Sequence, residues 1–392
     1  MKQAVVDKKT LIKKLINLRH KFHEYPELSN KEFQTTQKIK TILQNWQIPV
    51  LSTQLNTGLL VEIKGKQPGA TIALRADIDG LPVEEKTNLS FKSKNKGVMH
   101  ACGHDLHFSS LLGAAYLLNQ NKDQLKGTVK LLFQPAEEAG HGGDQVLRKN
   151  VLTGVQAIIG FHNNPNLPIG KIALQAGPLM AGCYKFSITL TGRGSHGAKP
   201  EAGKDPIIAQ AAIVSQLQTI VSRNVKPLEA AVVSVTKVLA GNSWNVLPTK
   251  AYLEGTVRAF SQKNVSLIKK RLLEITNNIA KAFDQKVNIN WSEGALPINN
   301  NATLTQVIKD HLFKRGLKVY KPNLSMAGED FATFEAHIPG VFAFIGSNGT
   351  KETSDWHTSH YLGKDKTIST GVDYFIESAQ GVLNYLNKKE RF

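Results

Sequence analysis

Side chains that bind metals or move protons gather at five places along the chain, each beside an apolar run. The run at 71–76 leads to Asp77 and Asp79, and the run at 128–133 leads to Gln134, Pro135, Ala136, Glu137 and Glu138. The run at 155–161 is followed by His162, and that at 341–345 leads on to His357. The fifth place, Met99-His100-Ala101-Cys102-Gly103-His104-Asp105, opens a helical pattern. Thiolate, imidazole and carboxylate together suit zinc or a neighbouring transition metal, whereas calcium and magnesium prefer oxygen shells. Cys102 and His104 stand two apart, so an extended segment points both to one face, and Gly103 between them permits a tight backbone.

Neighbouring residues at a strand end cannot face the same way, so Glu137 and Glu138 must hold different jobs. One carboxylate can bind metal while the other stays free. A metal such as zinc pulls the pKa of a bound water from about 15.7 to about 7, and a free glutamate beside it can take the proton and return it to a leaving amine.

The elements that must carry these groups follow from periodicity. Apolar positions at helical spacing predict two helices between Lys8 and Trp46, interrupted at Tyr25-Pro26. Short apolar runs at 58–63, 71–76, 128–133, 155–161 and 341–345, with a helical pattern at 106–118 between two of them, predict a mostly parallel sheet covered by helices. In such a sheet, ligands sit beyond the carboxyl ends of the strands, where the acids, histidines and thiol converge. The middle of the chain reads as a separate β-α-β-β-α-β unit: strands at 184–190, 230–238, 251–260 and 287–291, and helices at 206–221 and 265–283, the first with Asp205 as cap and Pro206 at its first position. The expected division is a first domain of residues 1–182 and 293–392, interrupted by an inserted α+β domain of 183–292.

The chain has 392 residues, enough for more than one core. No apolar run reaches the roughly 18 residues of a transmembrane helix, and the Lys-rich start at 1–14 lacks the hydrophobic stretch of a signal peptide. Two cysteines are too few for the disulfide framework of a secreted scaffold, so a cytoplasmic location is expected. The net charge of +18 would suit an anionic partner, but the basic residues come as scattered pairs without interleaved aromatics, which reads as a solvated surface and excludes a nucleic-acid site. Gly192-Arg193-Gly194-Ser195-His196-Gly197 fits a dinucleotide fingerprint in spacing and fails in context, because Pro200 and Gly203 interrupt the helix that should receive a pyrophosphate. Close backbone approach or a flexible loop is the better reading. Neither a phosphate-binding Lys loop nor a serine nucleophile elbow occurs.

With these residues assembled, the chain resembles the M20 metallopeptidase and amidohydrolase family, in the branch of aminoacylases, hippurate hydrolases and N-acetyldiaminopimelate deacetylases. The motifs that carry the resemblance span nearly the whole chain. They are Leu18-Arg19-His20 to Leu28, Leu74 to Pro82, Met99 to His107, Phe133 to Glu138, Gly192 to Ala198, Asn245 to Pro248, Gly255 to Arg258 and Ala327 to Phe331. The chain departs from the family's habits at Tyr184, Glu201 and His360.

The resemblance implies an α/β zinc-peptidase-like catalytic domain plus an inserted ferredoxin-like lid that serves dimerisation. Cys102, His104, Glu138, His162 and His357 resemble the ligands of a dinuclear centre of two divalent ions per subunit (zinc, manganese, cobalt or nickel), with the thiolate as bridge. Glu137 resembles the general base, and Asp77 the acid behind the metal site. His196 resembles the residue that in related dimers stabilises the tetrahedral oxyanion in the partner's site, while Asn245 and Arg258 resemble the group holding the substrate carboxylate. The implied activity is hydrolysis of the amide bond of N-acyl amino acids by a homodimer. A dipeptidase or carboxypeptidase using the same centre is the alternative.

Overall fold

Leu11, Leu15 and Phe22 bury one face of the helix Lys8–His23, whose first turn is capped by the Asp7 side chain. Ile39 and Leu43 do the same on Phe33–Asn45. This computed structural model describes residues 7–350 and 354–389, so positions 1–6 of the Lys-rich start lie outside the described residues. The chain forms two compact units: Met1–Gly177 with Asn299–Asn323 and Asp330–Phe392, and Pro178–Ile298 with Leu324–Glu329. Leu324–Glu329 joins the second unit through main-chain pairing of Ser325 with Leu179 and Ala181.

The first unit is built on an eight-stranded sheet. Its centre is parallel, in the order Lys126–Gln134, Gln67–Asp77, Ala157–Pro168, Gly340–Asn348, and Leu59–Lys64 runs antiparallel at one side. These central strands read as continuous apolar runs because helices cover both faces of such sheets. All but three residues of His104–Gln120 are buried, and this helix packs against the sheet and the long helix Thr367–Lys389. The ladder between Gln67–Asp77 and Ala157–Pro168 ends at the pair Arg75 and Gly160. His162 and Asn163 therefore project past it, at the same end as Asp77 and Gln134, which pair with each other.

The second unit has a four-stranded antiparallel sheet in the order Ala231–Ala240, Lys250–Ala259, Gly182–Thr191, Lys286–Glu293. Its helices Pro206–Leu217 and Gln262–Ala282 cover one face around Phe186, Ile188, Ile213, Leu253 and Ile268. This is the β-α-β-β-α-β order the pattern predicts. The expected helix at 206–221 instead breaks at Gln218 into Pro206–Leu217 and Thr219–Asn224. There Thr219 Oγ1 donates to the Gln216 carbonyl, a local bond that competes with the helical ladder. The glycines after Gly182–Thr191 serve close approach: a Cβ on Gly192 would fall 2.1 Å from the Lys204 carbonyl oxygen, and one on Gly194 2.8 Å from that of Leu247. Among the described residues no helix is long and apolar enough to cross a membrane.

Candidate metal centre

Gly103, with φ of 80°, ends the loop after Met99 and lets the helix start at His104, so Cys102 and His104 flank the turn and face one space. Cys102 Sγ lies 3.4 Å from His162 Nε2. His104 Nε2 lies 3.7 Å from Glu138 Oε1, 3.8 Å from Asp77 Oδ2 and 3.9 Å from Glu137 Oε2. His357 Nε2 lies 3.3 Å from Glu138 Oε1. Of the five donor triads among the described residues, two, Cys102-His104-His162 and Cys102-Glu138-His357, share the sulfur.

These gaps decide between hydrogen bonding and metal ligation. Bonds of 2.0–2.3 Å in a tetrahedral shell put neighbouring donor atoms roughly 3.3–3.8 Å apart, beyond a good hydrogen bond between nitrogen and oxygen. Accordingly, His104 Nε2 and Glu138 Oε1 are buried without a hydrogen bond. Buried polar atoms are normally paired, and a cation between them would satisfy this set. The residues present thus fit divalent ions with soft and nitrogen ligands.

Electrostatics agree. Burial disfavours charge on His104, yet Asp77, Asp79 and Glu138 outweigh it and push its pKa up to about 10, so the pocket favours a positive charge at that place. Burial, then Glu138 and Glu137, hold the Cys102 thiol well above its ordinary value. Only a nearby cation would release its proton. Burial, reinforced by His107, drives His162 well below the ordinary imidazole value, so it stays neutral. Its Nδ1 donates to the Asn163 carbonyl at 2.7 Å, which leaves a lone pair on Nε2 facing Cys102.

Two backbone outliers sit at the same place. Ala136 (φ 57°) and His357 (φ 62°) occupy the left-handed region that side chains avoid. Such strain persists where surrounding contacts enforce it, often at functional sites. At Ala136 the enforcing contacts are visible: its N–H donates to Glu32 Oε1 (2.8 Å) and the Glu138 N–H to Asp79 Oδ2 (3.0 Å). The resulting turn separates the two glutamates. Glu138 faces His357, and Glu137 Oε1 accepts from the Asp330 N–H at 3.3 Å.

Behind the donors, the supports differ in detail from the sequence expectation. Asp77 is wholly buried, but its Oδ1 accepts from His107 Nδ1 (2.6 Å) and its Oδ2 from Arg75 (2.8 Å). A second carboxylate beside the His104 ring is Asp79, whose Oδ1 lies 3.3 Å from Nδ1. His107 Nε2 accepts from the Asn163 N–H at 2.9 Å, so both its nitrogens are committed and it is a support for the site. Arg75 also donates to Gln134 (2.6 Å) and Asp330 (2.8 Å). Asp79, His107, Arg75 and Asn163 thus belong to the site's framework. Asp79 had a sequence signal in its place after the strand, and Arg75 and His107 lie within the motifs that carry the resemblance, while Asn163 had none.

The remaining expected residues lie in the second unit. Val246 pairs with His196, and the Gly197 N–H donates to the Asn245 carbonyl at 2.7 Å, so His196 and Asn245 are brought together. His196 is exposed, and its Nδ1 accepts from the Ala198 N–H at 3.0 Å, which places the proton of the neutral ring on Nε2. Asn245 is half-buried, and its Oδ1 accepts from Ser243 (2.8 Å). Arg258 stands on Lys250–Ala259 and donates to Thr256 Oγ1 and the Val257 carbonyl.

Comparison with known proteins adds an independent line. Residues 73–380 match the family described as Peptidase family M20/M25/M40. The chain is 46% identical over 380 residues to an N-acetyl-L-cysteine deacetylase of Bacillus subtilis, covering 97% of this chain and 90% of that one. It is 38% identical over 380 residues to an N-acetyldiaminopimelate deacetylase of Pediococcus pentosaceus, covering 94% and 97%. Among solved structures, a dinuclear metal-binding peptidase of the M20 family from Bacillus subtilis superposes with a TM-score of 0.87 at 40% identity, covering 96% and 99%.

Proposed function

This chain belongs to peptidase family M20/M25/M40, and from that premise we propose that it is a metal-dependent amidohydrolase that cleaves N-acyl amino acids, N-acetyl ones included, to a carboxylate and a free amino acid. The observation that carries the reading is the pair of donor triads sharing Cys102, spaced for cations and left without hydrogen bonds at His104 Nε2 and Glu138 Oε1. Cys102, His104, Glu138, His162 and His357 would hold two divalent ions, of zinc, manganese, cobalt or nickel. When bound, these ions supply Lewis acidity and make water acidic enough to attack at neutral pH.

The chain's own residues do the rest. Glu137, separated from Glu138 by the turn at Ala136, takes the proton of the attacking water and delivers it to the departing amine nitrogen as the acyl C–N bond breaks. Asp79, beside Nδ1, keeps the His104 ring turned, and Asp77, anchored by Arg75, lies beside Nε2 and also holds His107, which accepts from the Asn163 N–H. His196 donates its Nε2 hydrogen to the oxygen of the tetrahedral centre. Asn245 and Arg258 bind the substrate carboxylate. The chain's charge of +18 favours the approach of such an anion.

The active form we propose is a cytoplasmic homodimer joined through the second unit. Ala231–Ala240 is an edge strand there, and Val238, Leu239 and Trp244 are exposed apolar side chains on and beside it. Unpaired strand edges with apolar side chains invite pairing with another chain.

The test is a panel of N-acetyl and longer N-acyl amino acids set against dipeptides, run on metal-stripped protein and after separate reloading with zinc, manganese, cobalt and nickel. Hydrolysis of acyl amino acids should vanish on stripping and return with metal. Preference for dipeptides would assign the centre to peptidase chemistry instead, and turnover unaffected by stripping would end the proposal.

A further inference from the structure

The donors of the centre come from four separate segments of the first unit, and three of the four meet on one side chain. Asn163 follows His162 on Ala157–Pro168 and is wholly buried. Its Nδ2 donates to the Cys102 carbonyl (2.6 Å) and to His107 Nε2 (2.9 Å). Its Oδ1 accepts from the Tyr361 hydroxyl (2.6 Å) and from Ser347 Oγ (2.9 Å). Its main-chain carbonyl takes the His162 Nδ1 hydrogen. An amide side chain has two donor hydrogens and two acceptor lone pairs, so nothing of Asn163 is spare. Aspartate would lose both donors, and a longer glutamine would displace the partners.

The backbone is shaped around this residue. A Cβ on Gly103 would fall 2.5 Å from Asn163 Nδ2 and 2.2 Å from the Tyr361 oxygen, so only glycine lets the Cys102–His104 turn come this close. Tyr361 lies in the segment of His357, whose own N–H donates to the Ala101 carbonyl at 2.9 Å. The Cys102 turn, the His162 strand and the His357 loop are therefore cross-tied through one amide.

We propose that Asn163 is the positioning residue of the metal centre: it presets the Cys102 sulfur against the imidazole of His162 and holds the loop of His357 in place before an ion arrives. This rests on the reading of Cys102, His104, Glu138, His162 and His357 as ligands. Supports that orient ligands in this way typically contribute 10–100-fold to metal affinity.

The experiment titrates the metal-free, full-length protein with Co(II) and follows the sulfur-to-cobalt charge-transfer absorption, which reports thiolate ligation, together with bound-metal stoichiometry and thermal melting. Wild type should develop the absorption. Asn163→Ala should bind cobalt about 10–100-fold more weakly and show less charge-transfer intensity per bound ion. Tyr361→Phe, which removes one hydroxyl, should change both in the same direction by less, and it decides the matter if Asn163→Ala does not fold. Ile308→Val, a core trim in the same unit away from these groups, should lower melting without altering the absorption, separating a general loss of stability from mispositioning. If wild type itself shows no thiolate absorption, the ligand reading fails and the proposal with it. If wild type shows it and the Asn163 and Tyr361 variants match wild type in affinity and intensity, the ligand reading stands and the positioning role is overturned.

Discussion

In the first unit most candidate donors and their supports are sealed inside: His104, Asp77 and His107 are fully buried and Cys102 and His162 nearly so, with only His357, on its loop, exposed among the donors. In the second unit His196 is exposed and Asn245 and Arg258 are partly so, on a strand and a short paired loop beside a regular alternating sheet. A buried charged constellation is expensive and must be cross-tied to persist, hence the chain of bonds from Arg75 through Asp77 and His107 to Asn163. An exposed donor can be offered on a two-residue pairing at little cost in folding. The same chain thus places a rigid centre in one unit and adjustable contacts in the other. Substitutions should accordingly separate chemistry from stability differently in the two places.

The largest effect is expected at Glu137. Glu137→Gln keeps the shape and removes the proton acceptor, so kcat should fall about 10⁴-fold while bound metal, measured by elemental analysis, stays at the wild-type level. Loss of metal along with activity would make Glu137 a ligand and blur the division of labour with Glu138. Next comes His196→Ala, expected to lower kcat about 10²–10³-fold, the range for removing one oxyanion donor. Because the side chain is exposed, the melting temperature should not move. A variant that turns over at the wild-type rate would take His196 out of the chemistry.

The third test probes the charge buried behind the centre. His23 is enclosed with Asp105 at 2.9 Å and Glu85 at 3.3 Å. Burial opposes its charge, but these carboxylates outweigh burial and push its pKa up to about 9. Since the folded value lies above the ordinary 6.5, the stabilisation is complete below about pH 6.5 and disappears as pH rises through about 9. It amounts to about 3 kcal/mol at most. Urea unfolding of wild type and His23→Gln at fixed metal load should show a stability gap that narrows across that window. A gap independent of pH would mean that His23 is held neutral and that the charge of Asp105 is balanced by Arg19, 2.8 Å away, without it.

The same contrast explains what the sequence could reveal. The sheet, the inserted β-α-β-β-α-β order and the residues at strand ends follow from local periodicity, because a parallel strand buried on both faces must be apolar until it leaves the sheet. Cys102, His104, Glu137, Glu138, His162 and His357 carried their own chemical signal in type and spacing. How Asp77 and Asp79 share the support of His104 did not. Asp77 and Asp79 both follow one strand, and only the bonds in three dimensions show that Asp77 is also held by Arg75 and His107 while Asp79 lies beside His104 Nδ1. Asn163 was equally silent, since an asparagine after a histidine has no distinctive pattern and its importance lies in partners as far away in sequence as Tyr361. The break at Gln218 turned on a single threonine hydroxyl, below the resolution of a hydrophobic period.

The smallest expected effect on the protomer is also the sharpest probe of the second unit. On Ala231–Ala240 the alternation of buried and open positions dies out, and the last five residues are all exposed, Val238 and Leu239 among them. A strand that merely covered its own core would keep burying every second side chain. One that leaves an apolar end uncovered at a sheet edge either aggregates or meets a partner. Leu239→Lys places a charge there, removes no core contact and should change the unfolding free energy of the protomer by no more than about 0.5 kcal/mol, the usual range for surface positions. If this edge joins two copies, sedimentation should nevertheless report a shift from dimer to monomer. Activity should then fall with dilution, because His196 was expected to serve the partner's centre. A Leu239→Lys protein that remains dimeric would place the interface elsewhere on the chain. One that becomes monomeric yet keeps full turnover at every concentration would show that each copy completes its own site, and the exposed contacts of the second unit would then need no partner to act.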